Sequence, residues 1–437
     1  MEEYGSSVVS NALVARVQGV LAACTAKNSS SLRQQQCMIF ESATVAFGEC
    51  DLRWLTEPRA VCIGPYTRQR YHGVARLDTM QNHKWLCAGR LIYDRKNPSD
   101  SGKIRRCLET IKVRERRIRA TYFEELRWSS DELILTILLD ACFILFLLML
   151  HADPREEQFD DYRNEELGDH QIQSMVKHDL LLFGNQIPFF VIRALCTVIM
   201  PGMPHESLVG GALQLFSTIW HCKPANSMSV RCDQVLHLLH LFYLSVIPDS
   251  QRDEEPRARS LHRPFQGIRV LLPPATVLDR AGIRLGPRDN ACSFLDVKFS
   301  NGVLLIPPLQ VDGNTVIVLG SLIAFEKLHC RAPDHVVVTY VSFLKQLLTG
   351  PDDSRLLQKR GIIRNMTTAH KTSIFSFLFS DGYHVPCNSD LTDSFMDTTE
   401  YYGRRRLWSF KSPIVGPLML VLAIFIMILS SYRVLNG

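Results

Sequence analysis

Most of the chain follows a helical rhythm of apolar and polar positions. Asn185-Gln186-Ile187-Pro188 precedes FFVIRALCTVIM, which predicts a helix with Asn185 as N-cap and Pro188 in its first turn, stopped by Pro201-Gly202. Val230 to Ile247 is apolar around most of its circumference and ends at Pro248, which predicts a second helix. Val336 to Leu348 predicts a third, closed by Gly350-Pro351. Asp352-Asp353-Ser354 then caps a short helix through Arg360, with Gly361 as its C-cap.

One stretch changes period. Phe294 to Phe299 alternates apolar and polar, and Ser300-Asn301-Gly302 leads into Val303 to Ile306. Asn-Gly between two apolar strands favours a two-residue hairpin turn, because both central residues need positive φ. Pro307-Pro308 removes two donors and ends the ladder. No period of 20–50 residues repeats, so no solenoid is expected.

Two runs are apolar enough for a bilayer. Ile414 to Ser431 (IVGPLMLVLAIFIMILSS) holds 18 uncharged residues, within the range of about 17–25 that spans a membrane. Arg404, Arg405, Arg406 and Lys411 precede it and Arg433 alone follows, so the basic flank is expected on the cytoplasmic side. The reading is a C-terminal anchor with a cytosolic body, the plasma membrane being favoured. Leu133 to Leu150 is as long but contains Asp140, which costs about 2.5–3.5 kcal/mol at mid-span. Its flanks suit a span, with nine basic and four acidic residues over 103–127 and eight acidic and two basic over 153–169. Two spans, however, would put Arg404–Arg406 on the same outer side as the acidic stretch. A buried core helix with Asp140 satisfied internally is the preferred reading, and a two-span protein is the alternative.

The fold class that follows is mainly α: a multi-helix globular body with a small β-hairpin and a C-terminal transmembrane helix. The expected organisation is an N-terminal helical or flexible segment (1–36), a helical part (37–247), an exposed Pro- and Arg-containing linker (248–264), a second part holding the hairpin at 294–306 (265–411), and the anchor (412–432). The 437 residues carry 49 Lys+Arg against 44 Asp+Glu and 46% hydrophobic residues, which excludes a disordered polymer. The net charge of +5 carries no concentrated nucleic-acid stripe, and no nucleic-acid partner is expected. Met1-Glu2-Glu3 lacks a basic n-region, so no cleaved secretory signal is expected. The 13 cysteines form no C-x-x-C, and in a cytosolic body they are expected to be reduced and buried. Asn28-Ser29-Ser30 and Asn365-Met366-Thr367 are glycosylation sequons that matter only if the body lies outside.

Catalytic signatures are missing: no P-loop, G-x-G-x-x-G, G-x-S-x-G or H-E-x-x-H occurs. Asp233, His237 and His240 share one face of the helix expected over 230–247, at spacings of four and three that suit a shared ion, with Cys232 adjacent. No further ligand at defined spacing accompanies them, His221-Cys222 being the nearest candidate, so neither a metal nor a cofactor is expected. Lys103 to Arg127 interleaves Glu109, Glu115, Glu124 and Glu125 with its basic residues, which reads as a solvated helix face. Arg404–Arg406 differs, since beside the anchor it would seat the protein on anionic headgroups.

Several segments together resemble the plant family known as domain of unknown function 247. They are Val61–Tyr66 (VCIGPY), Asp140–Leu145 (DACFIL), Leu180–Phe190 (LLLFGNQIPFF), His237–Phe242 followed by Pro248, Leu295–Leu309 (LDVKFSNGVLLIPPL), Ala324-Phe325-Glu326, Leu356–Ile363 (LLQKRGII) and the terminal apolar helix. The match spans roughly Met38 to Tyr432. The resemblance implies a plant membrane-anchored protein with no established enzymatic activity. Some grass members are pollen-side determinants of self-incompatibility, encoded beside a small secreted partner, and the HLLHLF-type segment is similar to theirs. The chain departs from the family pattern in four places. Gly184 and Phe146 stand where a Glu is usual, Gly-Pro-Tyr-Thr replaces Gly-Pro-x-His with His72-Gly73 downstream, and the segment after Tyr402 is short.

Two functional expectations follow. The first is a non-enzymatic, membrane-anchored recognition or signalling protein, with no catalytic residue, held by lipid through its C-terminal helix and binding a protein partner. The alternative is an uncharacterised hydrolase or transferase that gathers dispersed groups such as Asp140, His178 and Asp179 in one pocket.

Overall fold

A helix that is apolar on every side has to be wrapped by others, and Ser130–Ala152 is wrapped. In the most apolar 18-residue window of this helix, 83% lies inside the body. The computed structural model describes residues 39–47, 53–93, 101–152, 170–217, 219, 230–247, 272–291, 293–330, 335–364 and 390–410. After two single-turn helices, Thr44–Phe47 and Arg53–Thr56, come α1 (Gly64–Arg70), α2 (Ala75–Ile92), α3 (Gly102–Lys112), α4 (Glu115–Ala120) and α5 (Ser130–Ala152). Next are α6 (His170–Asp179), α7 (Phe189–Ile199), α8 (Glu206–Phe216), α9 (Leu238–Val246) and α10 (Ala275–Arg280). Strands β1 (Arg284–Pro287), β2 (Lys298–Ser300), β3 (Val303–Ile306) and β4 (Leu309–Gln310) lead to α11 (Gly313–His329), α12 (Val336–Leu347), α13 (Pro351–Lys359), β5 (Ile363–Arg364) and α14 (Asp390–Phe410).

α5 packs against α1, α2, α3, α7 and α8. Leu133–Leu150 is therefore a buried core helix, and its apolar character is used on neighbouring helices. The closest approach is at α8, where a Cβ on Gly211 would stand 2.1 Å from the Leu148 carbonyl oxygen. Gly211→Ala should push these helices apart and lower stability by about 2 kcal/mol, read as a lower urea midpoint at unchanged m. An unchanged midpoint would mean that the two backbones are not in contact.

The hairpin forms as the turn signal predicts. β2 and β3 pair antiparallel with Ser300 opposite Val303, and Asn301 and Gly302 take φ of 50° and 75°. Its first strand is shorter than expected, because Asp296 N donates to Ser293 O and Leu295 N to Ser293 Oγ, which curls residues 293–297. β1 adds in parallel on the far side of β3, giving the order β1-β3-β2. Beyond Pro307-Pro308, β4 pairs in parallel with β5 in a second small sheet.

Two helix starts differ from expectation. The helix expected over 230–247 begins at Leu238, because His237 is extended (φ −158°) and its ring nitrogen accepts from His240 N. The Asn185 side chain does not cap α7: Pro188 is the N-cap residue and Asn185 bonds elsewhere. α12 and α13 lie where the pattern puts them, except that Gly350 is the N-cap residue of α13 and Asp352-Asp353-Ser354 lie within its first turns; Gly361 follows at φ +73°. The 103–127 run forms α3 and α4, whose Glu115 pairs with Lys112 and Arg119. The linker at 248–264, the anchor at 412–432, His221-Cys222 and both sequons lie outside the described residues.

α14 crosses the hairpin and α12. Ser394 Oγ donates to Val297 O at 3.0 Å, and Phe395 stacks on Phe343 with ring centres 4.4 Å apart. One buried hydrophobic cluster runs from Ile39 to Phe395.

Candidate functional site

The segment Arg59–Gly64 is buried for most of its length yet pairs with no strand, so its backbone donors need other partners. Side chains supply them. Asp179, at the end of α6, accepts from Arg59 N (3.0 Å), Ala60 N (2.6 Å) and Val61 N (2.8 Å). Asn185 accepts from Ile63 N at 2.6 Å and donates to Val61 O and Asp179 O. Asp140 accepts from Gly64 N at 2.7 Å, and Lys84 Nζ bonds both Asp140 and the Cys62 carbonyl. Gln186 Nε2 donates to Leu180 O and Leu182 O, while its Oε1 accepts from Leu239 N. Gly64 has φ +80° with Gln186 O packed on it, so the Gly-Pro pair opening α1 fits where a side chain would collide.

These contacts share a logic. Three buried carboxylates serve the N-terminal ends of helices other than their own, and Asp353 serves its own as well. Asp140 meets the start of α1, and Glu326 of α11 accepts from Val337 N (3.0 Å) and Val338 N (2.9 Å) at the start of α12. Asp353 accepts from Thr276 N in α10 at 2.9 Å and from Gly350 N at 3.0 Å. Helix N-termini leave donors unpaired and carry positive partial charge, so a carboxylate there is favoured. Burial works the other way: it pushes Asp179 up to about 6 and Glu326 up to about 7, despite the amides that donate to them. Hydrogen bonds at Thr276, Thr349 and Gly350 outweigh burial at Asp353, which stays below the usual carboxylate range.

The residues offered for catalysis do not come together. His178 Nδ1 faces Ser174 O in its own helix, Asp179 faces residues 59–61, and Asp140 faces Lys84 and α1. Burial lowers the His178 pKa. Among the described residues no hydrogen bond joins these three to one another.

The metal candidate is also dispersed. Asp233 is exposed and pairs with Arg231 at 2.9 Å, and Cys232 is buried, its thiol pushed up to about 11. His237 caps α9, and His240 Nδ1 accepts from Leu236 N at 3.1 Å. The His240 ring stacks on Phe325, which stacks on His329 at 4.3 Å; burial lowers His240 to about 3. Among the described residues no three potential ligands are placed to hold a metal ion.

Glu326 escaped the reading by residue chemistry, although a lone acid inside an otherwise apolar helix is the same signal that singled out Asp140. Lys84 gave no signal, because α2 carries many polar residues on its outer face.

The family described as a plant protein of unknown function, DUF247, matches residues 52–429. The chain belongs to this family. Among DUF247-like relatives, UPF0481 protein At3g47200 of Arabidopsis thaliana is 26% identical over 70% of this chain and 64% of its own length. Putative UPF0481 protein At3g02645 of the same plant is 20% identical over 70% of this chain and 71% of its own. The chain thus spans just under two thirds of the first of these relatives. No solved structure matches it.

The DUF247-like segments named above include Asp140 and Asn185 among the residues that fasten Arg59–Gly64, while Asp179 and Lys84 lie outside them. Two departures have visible settings. Gly184 has φ +84°, and a Cβ there would lie 3.0 Å from Phe40 O, so the usual Glu would strain this backbone. Phe146 is fully buried in α5, where a Glu would need a partner.

Proposed function

We propose that this DUF247 chain is a membrane-anchored recognition protein without catalytic activity. Its helical body binds a protein partner, and Ile414–Ser431 holds it on the bilayer with the body in the cytosol. The observation that carries the anchor is the uncharged 18-residue stretch directly after Arg404–Arg406 and Lys411. The buried acids support the non-enzymatic part. Asp140, Asp179 and Glu326 bond the protein's own backbone or side chains, so the hydrolase or transferase reading lacks a shared point for its groups. Seven cysteines among the described residues form no disulfide, which suits a reducing compartment.

A pollen-side self-incompatibility role is the specific form of this proposal, and the grass-like HLLHLF segment at His237–Phe242 is what supports it. Its physical condition is topological. A small secreted partner touches the body directly only if the body lies outside the cell; a cytosolic body needs an intracellular partner.

Membrane topology is the deciding measurement. In plant microsomes the full chain should be carbonate-resistant, its body cleaved by added protease, and Asn28 and Asn365 unglycosylated. Release by carbonate would remove the anchor. Protease protection with glycans would reverse the orientation.

A further inference from the structure

The docked length of α14 fixes where its last turns lie. Tyr401 meets Phe299 with ring centres 5.5 Å apart, and a Cβ on Gly302 would come within 2.7 Å of the Tyr401 hydroxyl. One turn on, Arg405 Nη1 would lie 2.8 Å from a Cβ on Gly282, in the turn that joins α10 to β1. This contact brings Arg404 and Arg405 to the end of the body that carries Arg280 and Arg284. All four are exposed.

The charges on this face do not cancel. Arg404 pairs with Glu400 at its side, and Arg360 with Asp279, the neighbour of Arg280. Arg405 bonds the Tyr401 hydroxyl at 3.2 Å and stacks over its ring. Arg280 and Arg284 make no ion pair among the described residues. Among the described residues, Arg280 and Arg284 therefore add positive charge beyond the pairs Arg404–Glu400 and Arg360–Asp279.

Chain connectivity limits what this face can meet. α14 ends at Phe410, and Ile414 begins the apolar stretch. Even a fully extended connector, plus the last helical turns, keeps Arg405 within about 22 Å of the first apolar residue. We propose that Arg280, Arg284, Arg404 and Arg405 form a bilayer-facing surface that rests on anionic headgroups and holds the body in one orientation on the membrane. The inference rests on the anchor reading and extends it. The anchor alone leaves the body free to tilt, whereas α14, fastened to the hairpin, lets a headgroup contact at this end orient the whole body. Each arginine near an anionic surface is worth about fivefold in association.

The test uses the full chain with phosphatidylcholine vesicles, with and without about 30% phosphatidylserine. Flotation reads the anchor, and amide hydrogen exchange over 280–286 and 400–406 reads the face. The chain should float with both compositions, and exchange in the two segments should slow about fivefold or more only where phosphatidylserine is present. Arg280→Glu/Arg284→Glu should still float, keep its helical circular dichroism and lose that slowing. Equal exchange in the two compositions, with flotation in both, overturns the face and leaves the anchor standing; so does slowing that survives the double substitution. Flotation only with phosphatidylserine, abolished by the double substitution, removes the anchor and keeps the face. Flotation with neither removes both.

Discussion

Lys84→Met is expected to destabilise the body by about 3–5 kcal/mol. Lys84 and Asp140 form a salt bridge with side chains 3% and 1% exposed, so removing the ammonium leaves a carboxylate with no solvent to receive it. Asp140 has one compensating donor left, Gly64 N, and the Cys62 carbonyl loses its partner at the same time. The backbone of 62–64 and the start of α1 should loosen together. The urea midpoint of the full chain in detergent reads the loss. Lys84→Met/Asp140→Asn should recover part of it, because the two changes share one interaction and cannot add. A Lys84→Met cost under about 1 kcal/mol would mean that water reaches the pair and that α5 is not sealed at this point.

This pair also shows where sequence reading reaches its limit. Asp140 was legible because a charge inside a leucine-rich run must be neutralised or face water, and the run is too apolar to face water. Lys84 was not, since one lysine among the polar positions of α2 differs from its neighbours only in which way it turns. The hairpin was legible from Asn301-Gly302, whose backbone preference is local. β1 was not: its pairing with β3 is parallel and nonlocal, and RLGP contains two poor strand formers. His237 and His240 are three apart and do come close, but a helix start at Leu238 turns one into a cap and the other into a stacking ring. Asn185 followed the same course. Its residue type announces a helix start, and the structure uses that capacity on a loop 122 residues away in sequence.

Glu326→Gln should flatten the dependence of stability on pH by about 3 kcal/mol between pH 4 and pH 8. Burial raises this carboxyl from 4.5 to about 7, so the folded chain holds its proton where the unfolded chain has released it. The stability it contributes is therefore complete below about pH 4.5 and is lost as pH rises through 7. Asp179, raised to about 6, acts in the same direction at lower pH. His240 acts in the opposite direction: with its folded pKa near 3 against 6.5, it weakens the fold as pH falls below 6.5. These opposed terms blur the wild-type curve, and the gap between variant and wild type isolates the one group. Glutamine sets its amide against donors from Val337, Val338 and Tyr243, so the variant is offset at every pH. Only the slope of the gap is diagnostic. It should move in favour of the glutamine variant as pH rises, and a gap constant from pH 4 to 8 would mean that Glu326 titrates alike in the folded and unfolded chains, the amino end of α12 offsetting its burial.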